Sequence, residues 1–140
     1  MTDKQADALF ELAPYAGAAL FLLFIVSKLA RPGRSEGRWV PAAVAAGLFA
    51  AWSGYAVYKG GWIGFWPLHQ AGAWGNQIWF DLLLAIGAGW ALLLSRARSA
   101  GMRVVPWTLL ILCTESIGLC AMLSRCLYLE GSARHGAGGK

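Results

Sequence analysis

The chain has 140 residues, of which 58% are apolar and 14% are charged, with a formal net charge of +5. Soluble domains carry about 25% charged residues, so this composition excludes an ordinary soluble enzyme and predicts an integral membrane protein. About four spans of ~20 residues fill the chain and leave no room for a separate catalytic domain. The basic residues flank apolar segments, which indicates membrane orientation and argues against nucleic-acid binding.

The N-terminal region combines charged residues with a proline. Thr2 and Gln5 have the spacing of a weak capping box, which predicts a short interfacial helix over 3–12, ahead of Pro14. The first apolar span is expected at about 14–30, because an Arg-Pro-Gly-Arg sequence follows it and stops a helix at the lipid headgroups.

The next two segments differ sharply in composition. A second span is predicted at 40–58, with Pro41 in its first turn, where the missing N–H has no partner to lose. Residues 59–76 contain five glycines and three tryptophans, which is too glycine-rich for a helix and typical of the membrane interface.

The C-terminal half predicts two further spans. Asn76 is expected to cap a third helix over 77–100, which Gly101 ends. A proline at position 106 opens a fourth span over 105–129, and the glycine-rich tail 131–140 is expected to be disordered. The predicted fold is therefore an all-α membrane protein, a single antiparallel four-helix bundle over residues 1–130.

The basic residues also predict the orientation of this bundle. Seven Lys and Arg residues lie beside the first and third connections, against five on the other side. By the positive-inside rule the chain is a multi-pass protein of the inner (plasma) membrane, with both termini outside.

The third and fourth spans each carry a stripe of small residues on one helix face, given a rotation of ~100° per residue. In an antiparallel hairpin, the residue numbers of two facing positions always have the same sum. The two stripes satisfy this condition, and the same register places Asp81 opposite Arg125. A structural ion pair is the favoured interpretation of these two charges, and a functional role for Asp81 is the alternative. The residues expected in the helix contact are Ala85, Ala88, Thr114, Gly118 and Ala121.

Several short motifs in the C-terminal half are shared with a known family. They are Asp81-Leu82-Leu83, Ala97-Arg98 with Gly101-Met102-Arg103 at the turn, Trp107, and Leu123 to Arg125. Over residues 80–127 the chain resembles the family of short bacterial membrane proteins catalogued as domain of unknown function 2834. The resemblance implies a small helical membrane protein and transfers no catalytic residue.

Glu115 is the strongest candidate for chemistry, because it lies near the middle of the fourth span, where a carboxylate is costly. It is expected to be neutral there and to act as an acid, a base or a proton carrier. The alternative is a structural carboxyl group whose hydrogen-bond partners are Ser53, Tyr55 or Trp52 on the second span. No Cys or His spacing matches a metal or haem site, so no cofactor is predicted.

Two classes of function follow from these residues. The first is a non-catalytic subunit or assembly partner, which binds other membrane helices or further copies of the chain through small-residue faces. The alternative is a membrane enzyme or proton-coupled transporter that acts on an apolar, isoprenoid-like or lipid-like substrate through Glu115.

Overall fold

The structure of the chain, a computed structural model, describes residues 3–30 and 39–137. Every regular element in these two ranges is an α-helix, which confirms the all-α fold class. The chain divides into two compact units, residues 1–34 and 35–140.

The first unit contains a single long helix, α1, at Asp3–Ala30. α1 runs through Pro14 without a break, so the prediction of a separate interfacial helix over 3–12 is wrong. Proline removes one intrahelical donor, but the residues on both sides are mainly Ala and Leu, whose helix propensity offsets that loss. Nearly all described side chains between residues 11 and 26 are exposed, including Leu20 and Phe21.

The second unit begins with α2, Val40–Gly60, which covers the predicted segment 40–58. Pro41 lies in its first turn, as the sequence predicts. The helix ends at Gly61, whose φ of 77° lies in the left-handed region that favours glycine. The Gly61 N–H donates to the carbonyl oxygen of Val57 at 2.8 Å, which satisfies one of the last carbonyls of the helix.

The Trp- and Gly-rich segment is more ordered than its composition suggests. A five-residue helix, α3, forms at Trp66–Gln70, and aromatic residues in and beside it pack against Trp79 of the next helix. The ring centroid of Trp79 lies 4.8 Å from that of His69, 6.1 Å from Trp66 and 6.4 Å from Phe65. This aromatic packing compensates for the weak helix propensity of the glycines.

The third long helix, α4, spans Ala73–Ser99 and begins earlier than predicted. Gly72 occupies the N-cap position, so the prediction of Asn76 as the cap is wrong. The Asn76 side-chain amide instead donates to the carbonyl oxygens of His69 and Gly72, each at 3.2 Å, and ties α3 to α4. Gly101 follows the end of the helix with a φ of 74°, as the sequence predicts.

The predicted fourth helix, 105–129, is in fact two helices. α5 occupies Val104–Thr114, α6 occupies Ser116–Ala137, and Glu115 separates them. α6 also continues beyond residue 130, so the expectation of disorder fails for 131–137. Contacts within α6, such as the bond from the Ser132 hydroxyl to the Tyr128 carbonyl oxygen at 3.0 Å, extend it.

The contacts of α5 and α6 with α4 fix the direction of each helix. Trp90 bonds to Thr108 across the short 100–103 turn, so α5 is antiparallel to α4. A Cβ added at Gly89 of α4 would meet the Leu119 side chain of α6. Further toward the C-terminus of both helices, Arg96 of α4 pairs with Glu130 of α6. α6 therefore runs parallel to α4 and returns to the end where α4 finishes.

This return reverses two predictions. The antiparallel register of the third and fourth spans is wrong, because the chain turns back at Glu115 before it reaches the far end of α4. The sequence also predicts that the C-terminal segment ends on the other side of the membrane from the 96–103 connection. In the structure, Glu130 of α6 instead pairs with Arg96 near the end of α4. Trp39, at the start of α2, lies at the same end: its carbonyl oxygen accepts from the Ser124 hydroxyl at 3.2 Å, and its ring contacts Tyr128 edge-on at 5.8 Å.

A small apolar core joins α4, α5 and α6. Its buried members are Leu93, Ala97, Met102, Ile111, Met122 and Cys126. Outside this core, most large apolar side chains of the described residues are exposed. Two helices in the described ranges, α2 and α4, are long and apolar enough to cross a membrane, and the segments Glu11–Val26 and Val104–Thr114 are shorter apolar helices.

Candidate functional site

The turn at Glu115 is the most unusual backbone feature of the described chain. Glu115 has φ 51° and ψ −117°, and no other described non-glycine residue has a positive φ. Its N–H donates to the Ile111 carbonyl oxygen at 2.6 Å, and its own carbonyl oxygen accepts from the Leu119 N–H at 3.1 Å. Such a backbone costs on the order of 1–3 kcal/mol and persists only where the surrounding contacts enforce it.

Gly118 is the residue that allows the turn to close. A Cβ at this position would lie 2.8 Å from both Cα and N of Ile111 and 2.9 Å from the carbonyl carbon of Leu110. These are backbone atoms of α5, so they cannot move aside as a flexible side chain does. Gly118 is therefore a helix-packing residue, as predicted, but its partner is α5 rather than α4.

The other predicted packing residues are placed differently. Ala85 and Ala88 are exposed on α4, and the face that meets α6 carries Gly89 and Leu93 instead. Thr114 is half-buried, and its hydroxyl donates within α5 to the Leu110 carbonyl oxygen at 2.7 Å. Ala121 is half-buried on α6. The face of α4 that packs against α6 is therefore not the predicted stripe of Ala85 and Ala88.

The predicted ion pair between Asp81 and Arg125 is absent from the described part of the chain. Asp81 is exposed and accepts a hydrogen bond from the Gln77 side chain on its own helix at 3.2 Å. The Arg125 guanidinium lies over the ring of Tyr128, 5.6 Å from its centroid. Asp81 lies near the start of α4, whereas Arg125 lies midway along α6, and the contacts between these helices involve the second half of α4.

The three expected hydrogen-bond partners of Glu115 all lie on α2. Among the described residues, no hydrogen bond joins the Glu115 carboxyl group to Ser53, Tyr55 or Trp52. On α2, the rings of Trp52 and Tyr55 contact each other at a centroid distance of 5.9 Å, and Ser53 is half-buried. α2 packs against α6, and at the start of α2 the Trp39 carbonyl oxygen accepts from the Ser124 hydroxyl.

A charged pair that the sequence did not predict joins the ends of α4 and α6. The Arg96 guanidinium donates twice to the Glu130 carboxylate, at 3.1 Å from Nε and 2.7 Å from the terminal nitrogen. The buried Cys126 thiol lies 3.6 Å from the same carboxylate. Bidentate pairs of this kind fix geometry as well as adding energy, so this pair sets the register of α4 and α6.

Two grooves flank the end of α4. The larger, about 640 Å³, lies beside the Arg96–Glu130 pair and is lined by Ser95, Ser99 and Ala133 as well. The smaller, about 210 Å³, lies between α4 and α5, with Arg98 among its lining residues. Within the described residues no group of three or more His, Cys, Asp or Glu side chains is placed to hold a metal ion.

Sequence features around Glu115 do mark the turn, although the prediction of an unbroken helix overlooks them. Thr114, Ser116 and Gly118 surround Glu115, and all are weaker helix formers than the Leu and Ile residues before them. Hydroxyl side chains also compete for backbone hydrogen bonds, which favours helix ends over helix interiors. Because the whole segment is apolar, its composition favours one continuous helix despite these local features.

Comparisons of this chain with protein-family models, with curated proteins and with solved structures find no match. The resemblance to domain of unknown function 2834 stays a prediction.

Proposed function

We propose that this chain is a small multi-pass protein of the inner (plasma) membrane and a non-catalytic subunit that binds other membrane helices or further copies of itself. The exposure of its apolar helices carries this proposal. Only 6% of the residues in the most apolar windows of α2 and α4 are buried within the chain. A core helix of a soluble protein with this composition is mostly buried, whereas lipid or a partner helix covers such a face in a bilayer.

Two glycines on α2 support the role of assembly partner. Gly47 and Gly54 lie seven residues apart, which places them on one face of the helix. Apart from the adjacent backbone of α2 itself, no described atom lies within 4 Å of the position that a Cβ would occupy at either residue. A glycine inside a helix costs roughly 0.5–1 kcal/mol relative to alanine, and membrane helices use such residues where another backbone approaches closely.

Substitution of these glycines tests the proposal. In protein purified in mild detergent, Gly47→Leu and Gly54→Leu are expected to dissociate a stoichiometric complex or homo-oligomer, because the larger side chain holds the partner backbone away. The measurement is the mass of the purified particle. Leu48→Ala is the control, since Leu48 is 67% exposed on a neighbouring face and its truncation leaves the glycine face intact. A wild-type protein that is monomeric and lacks a partner contradicts the subunit role.

The backbone at Glu115 favours a second candidate, a membrane enzyme or proton-coupled transporter acting on an apolar substrate. α5 has 11 residues and a length of about 16 Å, which places Glu115 near the middle of a ~30 Å hydrocarbon core. Non-helical backbone at that depth occurs where it is buried in protein or lines a water-filled cavity. A carboxyl group at such a break is chemically suited to carry a proton.

Two substitutions at Glu115 separate these functions. Glu115→Gln removes the ionisable group, and Glu115→Gly removes the side chain while it relieves the positive φ. We expect both variants to retain partner binding and in-cell function, with Glu115→Gly as stable as the wild type or up to ~1 kcal/mol more stable. The readouts are complex mass, thermal unfolding in detergent and rescue of a strain that lacks the gene. Loss of rescue by both variants with the complex intact would favour the enzyme or transporter.

A further inference from the structure

The smaller groove, between α4 and α5, combines a charged mouth with apolar walls. On α4 it is lined by Trp90, Leu94 and Arg98, which are four residues apart and so share one face. On α5 it is lined by Val105, Thr108 and Leu109. The two helices diverge enough to leave about 210 Å³ between these side chains.

The groove is charged at one end and has hydrogen-bonded polar groups at the other. Arg98 lies beside the turn that joins α4 to α5, and Trp90 lies eight residues earlier, about 12 Å along the helix axis. The indole N–H of Trp90 donates to the Thr108 hydroxyl at 3.1 Å, and that hydroxyl donates to the Val104 carbonyl oxygen at 3.0 Å. The polar side-chain atoms at the Trp90 end are therefore satisfied, and between the two ends the walls are apolar.

The charge of Arg98 differs from that of its neighbour Arg96. Arg96 is neutralised by Glu130, so the larger groove carries a balanced pair. Within the part of the chain that the structure describes, Arg98 is exposed and forms no ion pair. A guanidinium in this position offers several N–H donors in a planar fork, which suits a phosphate group.

From this arrangement we infer that the α4–α5 groove binds an anionic phospholipid, with its phosphate on Arg98 and part of one acyl chain between Leu94, Val105 and Leu109. This inference rests on the proposed membrane location, which puts Arg98 at the level of the headgroups. Basic pockets between helices at the membrane surface are suited to acidic headgroups. The apolar walls distinguish this ligand from a free phosphate ion, because an ion would gain nothing from them.

The test uses the full-length protein in mild detergent and native mass spectrometry. The probes are phosphatidylglycerol and phosphatidylcholine with identical acyl chains, so only the headgroup differs. We expect wild-type protein to retain phosphatidylglycerol preferentially. Arg98→Gln is expected to lower the apparent affinity by about fivefold, the effect of one basic residue near an anionic headgroup.

Two further variants separate the groove from general surface charge. Arg125→Gln removes an equal charge from an exposed arginine on α6 and is expected to leave the lipid preference unchanged. Val105→Trp fills the groove without changing charge, and its site is 69% exposed, so the helix tolerates the larger side chain. It is expected to reduce phosphatidylglycerol retention. An equal loss in Arg98→Gln and Arg125→Gln overturns the proposal.

A competition arm identifies the source of the phosphate. Glycerol 3-phosphate, which has the headgroup chemistry without acyl chains, is expected not to displace the lipid. Displacement at comparable concentrations overturns the lipid assignment. Alkaline washing of membranes tests the location separately: protein that stays in the pellet but shows no headgroup preference refutes the groove alone, whereas release from the membranes refutes both proposals.

Discussion

Gly118→Ala, which adds a single methyl group, is expected to lower the free energy of unfolding by about 2–3 kcal/mol. The added Cβ would lie 2.8 Å from the Ile111 backbone, well inside ordinary carbon–carbon contact distance. Relief requires α6 to move away from α5. That movement separates Ile111 from Met122 in the core and loosens the turn at Glu115.

Gly87→Ala is the matched control for this substitution. Gly87 lies inside α4, and apart from the adjacent backbone of α4 itself no described atom lies within 4 Å of the position that its Cβ would occupy. Its replacement should therefore raise stability by roughly 0.5–1 kcal/mol, the usual gain from alanine inside a helix. Thermal or denaturant unfolding in detergent measures both variants. Equal effects of the two substitutions would show that α5 and α6 do not touch at Gly118.

The fold class and the extent of two helices follow from local sequence properties. α2 and α4 are long apolar segments bounded by Pro41 and by the glycines at 61 and 101, and these signals act within a few residues. Local signals of this kind are independent of how the helices pack. This independence is why the sequence predicts the helices well even where it assigns the wrong neighbours.

The direction of α6 depends on one residue, Glu115, which the sequence pattern places in a helix interior. Residues 105–129 have the length and composition of a span, so an unbroken helix and an antiparallel register with α4 follow. The turn at Glu115 reverses the chain, so the residues of α6 that meet α4 differ from those predicted for an unbroken helix. Asp81 and Arg125 separate, while Arg96 meets Glu130.

The predicted packing face of α4, the stripe with Ala85 and Ala88, is wrong for a related reason. Residues three or four apart share a helix face, so an alanine-rich helix offers several equivalent stripes. On α4, Ala85 and Ala88 satisfy the spacing as well as Gly89 and Ala97 do, but only the latter pair packs against the core. The choice between them depends on the partner helix, which local spacing does not specify.

For the proposed membrane location, the reversal at Glu115 predicts the side of the bilayer on which α6 ends. A cysteine placed at Ser132 on α6 is expected to lie on the same side of the membrane as one placed at Ser99 on α4. A cysteine at Lys59, in the last turn of α2, is expected on the opposite side. The first two positions are exposed serines whose hydroxyls bond to carbonyl oxygens four residues earlier, so they are closely matched.

The positive-inside rule assigns the shared side to the cytoplasm. With α6 returning, Arg125 joins the seven Lys and Arg residues of that side, and the bias rises from seven against five to at least eight against four. In a background with Cys113, Cys120 and Cys126 replaced by alanine, an impermeant maleimide should label the Lys59 position in intact cells. The two serine positions should react only after the membrane is permeabilised.

Each labelling pattern has a distinct structural meaning. Labelling at Ser99 and Ser132 with protection at Lys59 would keep the α5–α6 hairpin and invert the orientation in the membrane. Labelling at Ser132 and Lys59 with protection at Ser99 would mean that residues 104–137 cross the bilayer as one span. That pattern would contradict the hairpin, since Glu130 and Arg96 would then lie on opposite sides and their 2.7 Å ion pair would be impossible.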